Sequence, residues 1–173
     1  MPALFSALLP PGDVVDAVAG ALGDPAGGLA WEPPGKWHVT LAYYGRDDAG
    51  TRGAWLADRL AGRRAVDVRL EKAATFPGVL WLTVAGSELT PLAHAAGADA
   101  DADADAEARP YRAHLTLARF PREEPGLARR WTERLAGFTS RNWQATRVAL
   151  MTSEREPGGT RYRVAREFEL NRA

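Results

Sequence analysis

The chain has 173 residues, of which 46% are hydrophobic and 25% charged, the proportions of a soluble globular domain large enough to bury a core. Its 22 basic residues balance 22 acidic ones, so it lacks the broad positive field that holds a general coat protein to nucleic-acid backbones. There is no cysteine, which excludes disulfides, thiolate catalysis and Cys-ligated zinc or iron–sulfur centres.

Leu4–Leu9 reads as a first strand, closed by Pro10-Pro11-Gly12. It is apolar but short, and no Lys or Arg precedes it, so a buried strand is expected rather than a signal peptide. No apolar run approaches the length of a membrane span, and a cytoplasmic, monomeric protein is the expectation. Asp13 stands where an N-cap belongs, ahead of Val14, Val15, Ala17, Val18 and Leu22 at helical spacing, with Gly23 as the stop. Leu29–Trp31 is a short strand ended by Pro33-Pro34, and Trp37–Tyr44 a third strand. Ala54, Leu56, Ala57, Leu60 and Ala61 predict a second helix. Val66, Val68 and Leu70 then alternate with Asp67, Arg69 and Glu71 as in a half-buried strand.

Val79–Val84 is a further strand, reached through Pro77-Gly78, and a helix is expected from Ser87 or Glu88 to Ala96. Residues 97–109 are rich in alternating Ala and Asp; alanine is a poor strand former and the carboxylates repel, so a solvated flexible loop is expected. Tyr111–Phe120 is a strong strand. Glu123–Phe138 carries Leu127, Trp131 and Leu135 at four-residue spacing, as an amphipathic helix does. Trp143–Met151 and Tyr162–Leu170 complete the set as strands, turned by Pro157-Gly158-Gly159. Few helices link strands one for one, which favours an α+β fold with antiparallel sheets.

Two segments resemble each other. Trp37-His38-Val39-Thr40-Leu41-Ala42 aligns with Ala113-His114-Leu115-Thr116-Leu117-Ala118, and both lie in predicted strands. Only three histidines exist, and two occupy this pattern. Alternation along a strand puts His38 and Thr40 on one face and Val39 and Leu41 on the other; the same holds for His114 and Thr116. Each strand therefore anchors in a core by its aliphatic side and presents an imidazole and a hydroxyl on the other. If the two strands meet across a cleft, the set suits a phosphate diester. One neutral imidazole takes a proton from water, one imidazolium delivers a proton to the departing oxygen, and the hydroxyls bind the non-bridging oxygens. A two-histidine metal site would need a carboxylate on the same faces, and neither strand core offers one; no metal and no cofactor are expected. His94, beside Leu92 on its helix, is assigned no chemistry.

At these residues the chain resembles the two-histidine (2H) phosphoesterase superfamily. Within it, it is similar to the bacterial RNA 2′,3′-cyclic phosphodiesterases, also called the 2′-5′ RNA ligase family. The resemblance extends to Leu4–Leu8 with Pro10-Pro11, to Trp31–His38, to Phe76-Pro77 with Val79–Leu82, to Arg109–Arg119 and to Ser153–Tyr162, nearly the whole chain. It departs at Ala113, where that family usually has proline, and at Trp37, which replaces Leu or a similar side chain. The resemblance implies one bilobed domain over residues 1–173, with two small antiparallel sheets related by pseudo-two-fold symmetry around a central cleft. It implies hydrolysis of a 2′,3′-cyclic phosphate on an RNA end to a 2′-phosphate. His38 would be proton donor and His114 proton acceptor, with Thr40 and Thr116 on the phosphate oxygens; the near-equivalent motifs do not by themselves order the two roles. Arg119 matches an arginine of the family motif, but simple alternation puts it opposite His114 and Thr116 unless the strand bulges. By the same parity Tyr44 shares the face of Thr40 and Tyr43 does not, so Tyr44 is a candidate to stack on a base. Trp37 is a candidate to shape the base pocket, with Phe5 and Trp31 as weaker ones. The expected partner is RNA with a cyclic-phosphate end or a cyclic nucleotide. The alternatives are 2′-5′ RNA ligation, a cyclic phosphodiesterase on a small nucleotide, and a non-catalytic RNA-end binding module.

Overall fold

The computed structural model of the protein describes residues 1–98 and 110–172. Two antiparallel sheets form its frame. The first has the order β3-β1-β8-β9 and the second β2-β6-β5-β4-β7. The strands are β1 (Ala3–Leu8), β2 (Ala30–Trp31), β3 (Val39–Arg46), β4 (Val66–Phe76), β5 (Val79–Ala85), β6 (His114–Arg119), β7 (Trp143–Ala145), β8 (Arg147–Glu156) and β9 (Gly159–Glu169). The α-helices are α1 (Gly12–Leu22), α2 (Ala49–Leu60), α3 (Leu89–Ala95) and α4 (Gly126–Arg134). The α+β class with antiparallel sheets agrees with the sequence reading.

Each sheet buries one face against helices. Contacts run from α2 to β8 and β9, from α3 to β3, and from α4 to β4. Strand alternation sends Leu4 and Leu8 into a continuous core with Leu41, Leu56, Leu80, Leu115, Leu117, Trp131 and Leu150. Phe5 and Ala7 take the other face, where they form a separate small cluster with Ala149 and Met151, packed against Tyr162. That second cluster is the floor on which the first half of the site rests.

Several boundaries differ from the sequence reading. Helix α1 begins at Gly12 with Pro11 in the N-cap position, and Asp13 lies in its first turn without capping it. The Asp13 carboxylate instead accepts two hydrogen bonds from the Arg141 guanidinium, which ties α1 to the approach to β7. Helix α2 starts earlier than expected because Asp48 caps it, accepting from the Thr51 N–H at 2.8 Å. Helix α4 is shorter than the predicted Glu123–Phe138, since Pro121 and Pro125 delay its start. Strand β4 runs on to Phe76, which pairs with Val79 across the Pro77-Gly78 turn. Gly78 has φ +78°, and a Cβ there would sit 3.1 Å from the Phe120 carbonyl, so the turn calls for glycine.

The predicted strand Trp143–Met151 divides at Thr146. β7 pairs with β4 in the second sheet, and β8 pairs with β1 in the first. Conversely β2, from the first half of the chain, pairs with β6. Each sheet thus takes strands from both halves of the sequence. The Asp/Ala-rich connection predicted as a flexible loop over residues 97–109 lies outside the described residues beyond Ala98.

Candidate active site

The two motif strands come together at a cleft between the sheets. Its cavity, of about 230 Å³, is lined by Phe5, Glu32, Lys36, His38, Thr40, Tyr43, His114, Thr116, Arg119, Ser153 and Tyr162. His38, Thr40, His114, Thr116 and Arg119, singled out from the sequence, therefore share one cavity. A direct link joins the strands: the Tyr111 hydroxyl, just ahead of β6, donates to the Thr40 carbonyl of β3 at 2.6 Å. Burial pushes that phenol far up, so it stays protonated as a donor.

Both imidazoles are held alike. His38 Nδ1 lies 2.7 Å from the Lys36 carbonyl, and His114 Nδ1 lies 2.9 Å from the Arg112 carbonyl. A carbonyl only accepts, so each Nδ1 carries a hydrogen and each Nε2 is the edge left for the cavity. Aromatic rings flank both. His38 sits against Phe5 at 4.9 Å and Tyr162 at 5.3 Å between centroids, and His114 against Phe76 at 5.4 Å and Trp81 at 5.8 Å. Burial holds the His38 pKa below its ordinary value, reinforced by the nearby charge of His114; the Lys36 carbonyl and the Glu32 carboxylate pull the other way. Tyr162 keeps its proton chiefly through burial, with Glu32 adding to the effect.

A β-bulge in each motif strand sets which side chains face the cleft beyond the threonine. In β3, Thr40 opposes Ala7 and Ala42 opposes Ser6, leaving Leu41 unpaired. In β6, Thr116 opposes Trp81 and Ala118 opposes Leu80, leaving Leu117 unpaired. Leu41 with Ala42 and Leu117 with Ala118 are consecutive buried pairs, and parity reverses beyond them. Tyr43, across from Phe5, and Arg119, across from Val79, consequently reach the cleft face. Arg119 lies where simple alternation would not have put it, and Tyr43 takes the place read for Tyr44.

Tyr44 is in the core. It is 9% exposed, and its hydroxyl lies 2.8 Å from Ser6 Oγ and 2.7 Å from the Ala96 carbonyl. Trp37 is 4% exposed and donates its indole N–H to the Glu32 carbonyl at 3.0 Å. It borders a groove beside the cleft rather than the cleft itself. Trp31 packs edge-on to Trp131 at 4.7 Å, away from the cavity. His94 is on α3, and Arg59 donates to its carbonyl. Sequence reasoning missed Glu32, Lys36, Ser153 and Tyr162. Lys36 and Tyr162 carried no periodicity or repeat that would have marked them. Among the described residues no three His, Asp or Glu side chains cluster as metal ligands would, and no helix is long and apolar enough to cross a membrane.

Two antiparallel sheets that each give one His-x-Thr strand to a shared cleft make up a two-histidine phosphoesterase fold. The chain belongs to the 2′-5′ RNA ligase superfamily, whose family model matches residues 15–157. Solved structures share its fold across nearly its whole length. The Thermus thermophilus protein TT0787 is 23% identical with a TM-score of 0.73, covering 97% of each chain. A protein described as a phosphoesterase is 21% identical with a TM-score of 0.73, covering 98% of each. E. coli LigT complexed with 3′-AMP is 21% identical with a TM-score of 0.69, again covering 98% of each. No curated protein matches the chain. Membership of the superfamily supports a phosphodiester-processing function.

Proposed function

We propose that the protein hydrolyses 2′,3′-cyclic phosphodiester ends of RNA to 2′-phosphomonoesters by metal-independent acid/base catalysis. The observation that carries this reading is the pair of imidazoles in one cavity, each fixed through Nδ1 to a backbone carbonyl with Nε2 on the free edge. In the reaction water attacks phosphorus and gives its proton to His114 Nε2. The P–O3′ bond breaks, and His38 Nε2 protonates the leaving 3′ oxygen while the P–O2′ bond is kept. One water is consumed, and the two histidines exchange protonation states before the next turnover. Thr40 and Thr116 hold the non-bridging oxygens, and Arg119 neutralises the charge that builds on them.

Burial lowers the His38 pKa in the free protein and so disfavours the imidazolium that the donor role needs. An anionic phosphate between the rings favours imidazolium, so His38 takes up a proton from solvent as the substrate binds. The solved complex of the similarly folded LigT with 3′-AMP is in keeping with a nucleotide phosphate in such a cleft. In 2′-5′ ligation a 5′-hydroxyl attacks phosphorus in place of water and the same groups act in the same order, and the family's description favours it as the second reading. On this proposal the substrate is an RNA end, and the protein acts as a monomer in the cytoplasm without a cofactor.

The test is incubation with a cyclic-ended RNA in EDTA, the products being assigned by phosphorus NMR. A 2′-phosphate is the expected product. A 3′-phosphate would overturn the assignment of the leaving oxygen, and loss of turnover in EDTA would overturn the metal-free mechanism.

A further inference from the structure

The cleft continues on the His38 side into a second and larger depression. This groove, of about 490 Å³, runs beneath the β8–β9 hairpin and is lined by Leu9, Lys36, His38, Arg161, Tyr162 and Val164 among others. Lys36, His38 and Tyr162 belong to both cavities, so the two are continuous. A corresponding depression beyond His114, with Trp81, Thr83, Tyr111 and Arg112, shares no residue with the cleft. Among the cavities of the described residues, the one that continues the cleft lies on the His38 side.

Size and surface chemistry both bear on the occupant. Sites for small organic ligands run from roughly 300 to 1,000 Å³, so the central cavity is small for a whole nucleotide while the groove is ample for one. Among the described residues the exposed large hydrophobics are Met1, Leu9, Tyr43 and Val164. Leu9 and Val164 both wall the groove, and Tyr43 borders the cleft. Two cations stand beside this apolar wall. Lys36 spans the groove to donate to the Thr160 carbonyl and lies 5.6 Å from the Tyr162 ring centroid. Arg161 is 2.9 Å from Glu156 and half exposed, free to turn toward a stronger anion. An apolar wall for a base or ribose, an aromatic ring and two cations make a surface complementary to one nucleotide with its phosphate.

We propose that this groove receives the nucleotide joined to the terminal one, so that the protein acts on the ends of RNA chains in preference to free cyclic mononucleotides. The inference rests on the phosphodiesterase reading and deepens it. The experiment compares kcat/KM for a dinucleotide ending in a 2′,3′-cyclic phosphate with that for the cyclic mononucleotide. It uses the wild type, Arg161→Ala and Val164→Glu. The wild type should favour the dinucleotide by roughly tenfold or more, the scale of one stacked base. Each variant should lose at least about fivefold more on the dinucleotide than on the mononucleotide, whose turnover also reports correct folding. Equal rates on both substrates, or a ratio that neither variant moves, would overturn the groove and leave the phosphodiesterase reading standing. If neither substrate is turned over, the phosphodiesterase reading falls, and titration of tryptophan fluorescence with the dinucleotide decides the groove. Weaker binding to the variants then supports it, and unchanged binding overturns it.

Discussion

The two motif strands are near copies in their backbone and unlike in what they bring to the cleft. In both, the imidazole Nδ1 is bonded to the carbonyl two residues before it, and an unpaired leucine marks a bulge just past the threonine. In both, a pair of aromatic rings backs the histidine. After the bulge, however, one strand delivers a phenol, Tyr43, and the other a guanidinium, Arg119. Lys36 and Tyr162 stand beside His38 and line the groove beyond it. In the proposed mechanism the symmetric part is the proton-transfer apparatus, and the asymmetric part is what can tell one end of a substrate from the other. Shared geometry supplies reactivity, and divergence at a few side chains supplies direction.

The comparison can be broken most severely at its shared feature. His38→Ala and His114→Ala should each lower kcat by ~10²–10⁴-fold, the usual scale for one acid or base group. A variant near full activity would show that its half of the site is a relic. The asymmetry comes next. Arg119→Ala should cut kcat/KM ~10–100-fold through a lost charge-assisted contact, and Tyr43→Ala only ~2–10-fold. Steady-state kinetics on a cyclic-ended RNA checks the order, and equal losses would mean that the two positions are not specialised.

Tyr111→Phe tests the link between the strands. Losing its hydrogen bond to the Thr40 carbonyl should cost ~1–3 kcal/mol in a urea titration, because a part-buried acceptor is left bare. The smallest effect lies in pH dependence. The folded-state pKa of His38 is depressed below 6.5, so its neutral form adds stability above that pH. That stability is lost as pH falls through the folded value. Asp13, Asp47 and Asp48 are also depressed, but their window opens below 3.8. The urea midpoint should therefore decline between about pH 7 and 5 in the wild type and decline less in His38→Gln. Parallel curves would remove His38 as the cause.

Much of the fold was legible because its strands and helices carry clean periodicity. Val66, Val68 and Leu70, or Leu127 and Trp131, sit on one face each in the sequence and are core in the structure, apart from the half-buried Leu127. The repeated His-x-Thr-Leu-Ala was legible as a motif, while the physical meaning of its last two letters was not. Two consecutive residues must both face the core at a bulge, which suits a leucine followed by a small alanine. Reading Leu-Ala as mere repetition kept strict alternation running through Tyr44, which it put on the wrong face, and brought Arg119 to the cleft only on condition of a bulge, which β6 has. Lys36 and Tyr162 were illegible for another reason. They reach the cleft through a short 3₁₀ turn, Pro34–Lys36, and through the register of β9, neither of which leaves a period in the sequence. Trp37 looked like a pocket residue because it adjoins His38. Its side chain is buried and absent from the cleft, and it borders only the neighbouring groove.

The exchange of strands between sheets also has a mechanical side. β2 is hydrogen-bonded into the second sheet, while β3, beginning immediately after His38, belongs to the first. The short connection from Glu32 to Trp37 is thus a strut across the mouth of the cleft, pinned at one end by the Glu32 N–H to the Leu117 carbonyl at 2.8 Å. Parting the sheets like a clamshell would stretch that strut and drag His38 off its perch. The spacing of the two imidazoles is thus set by the length of that connection rather than by a hinge.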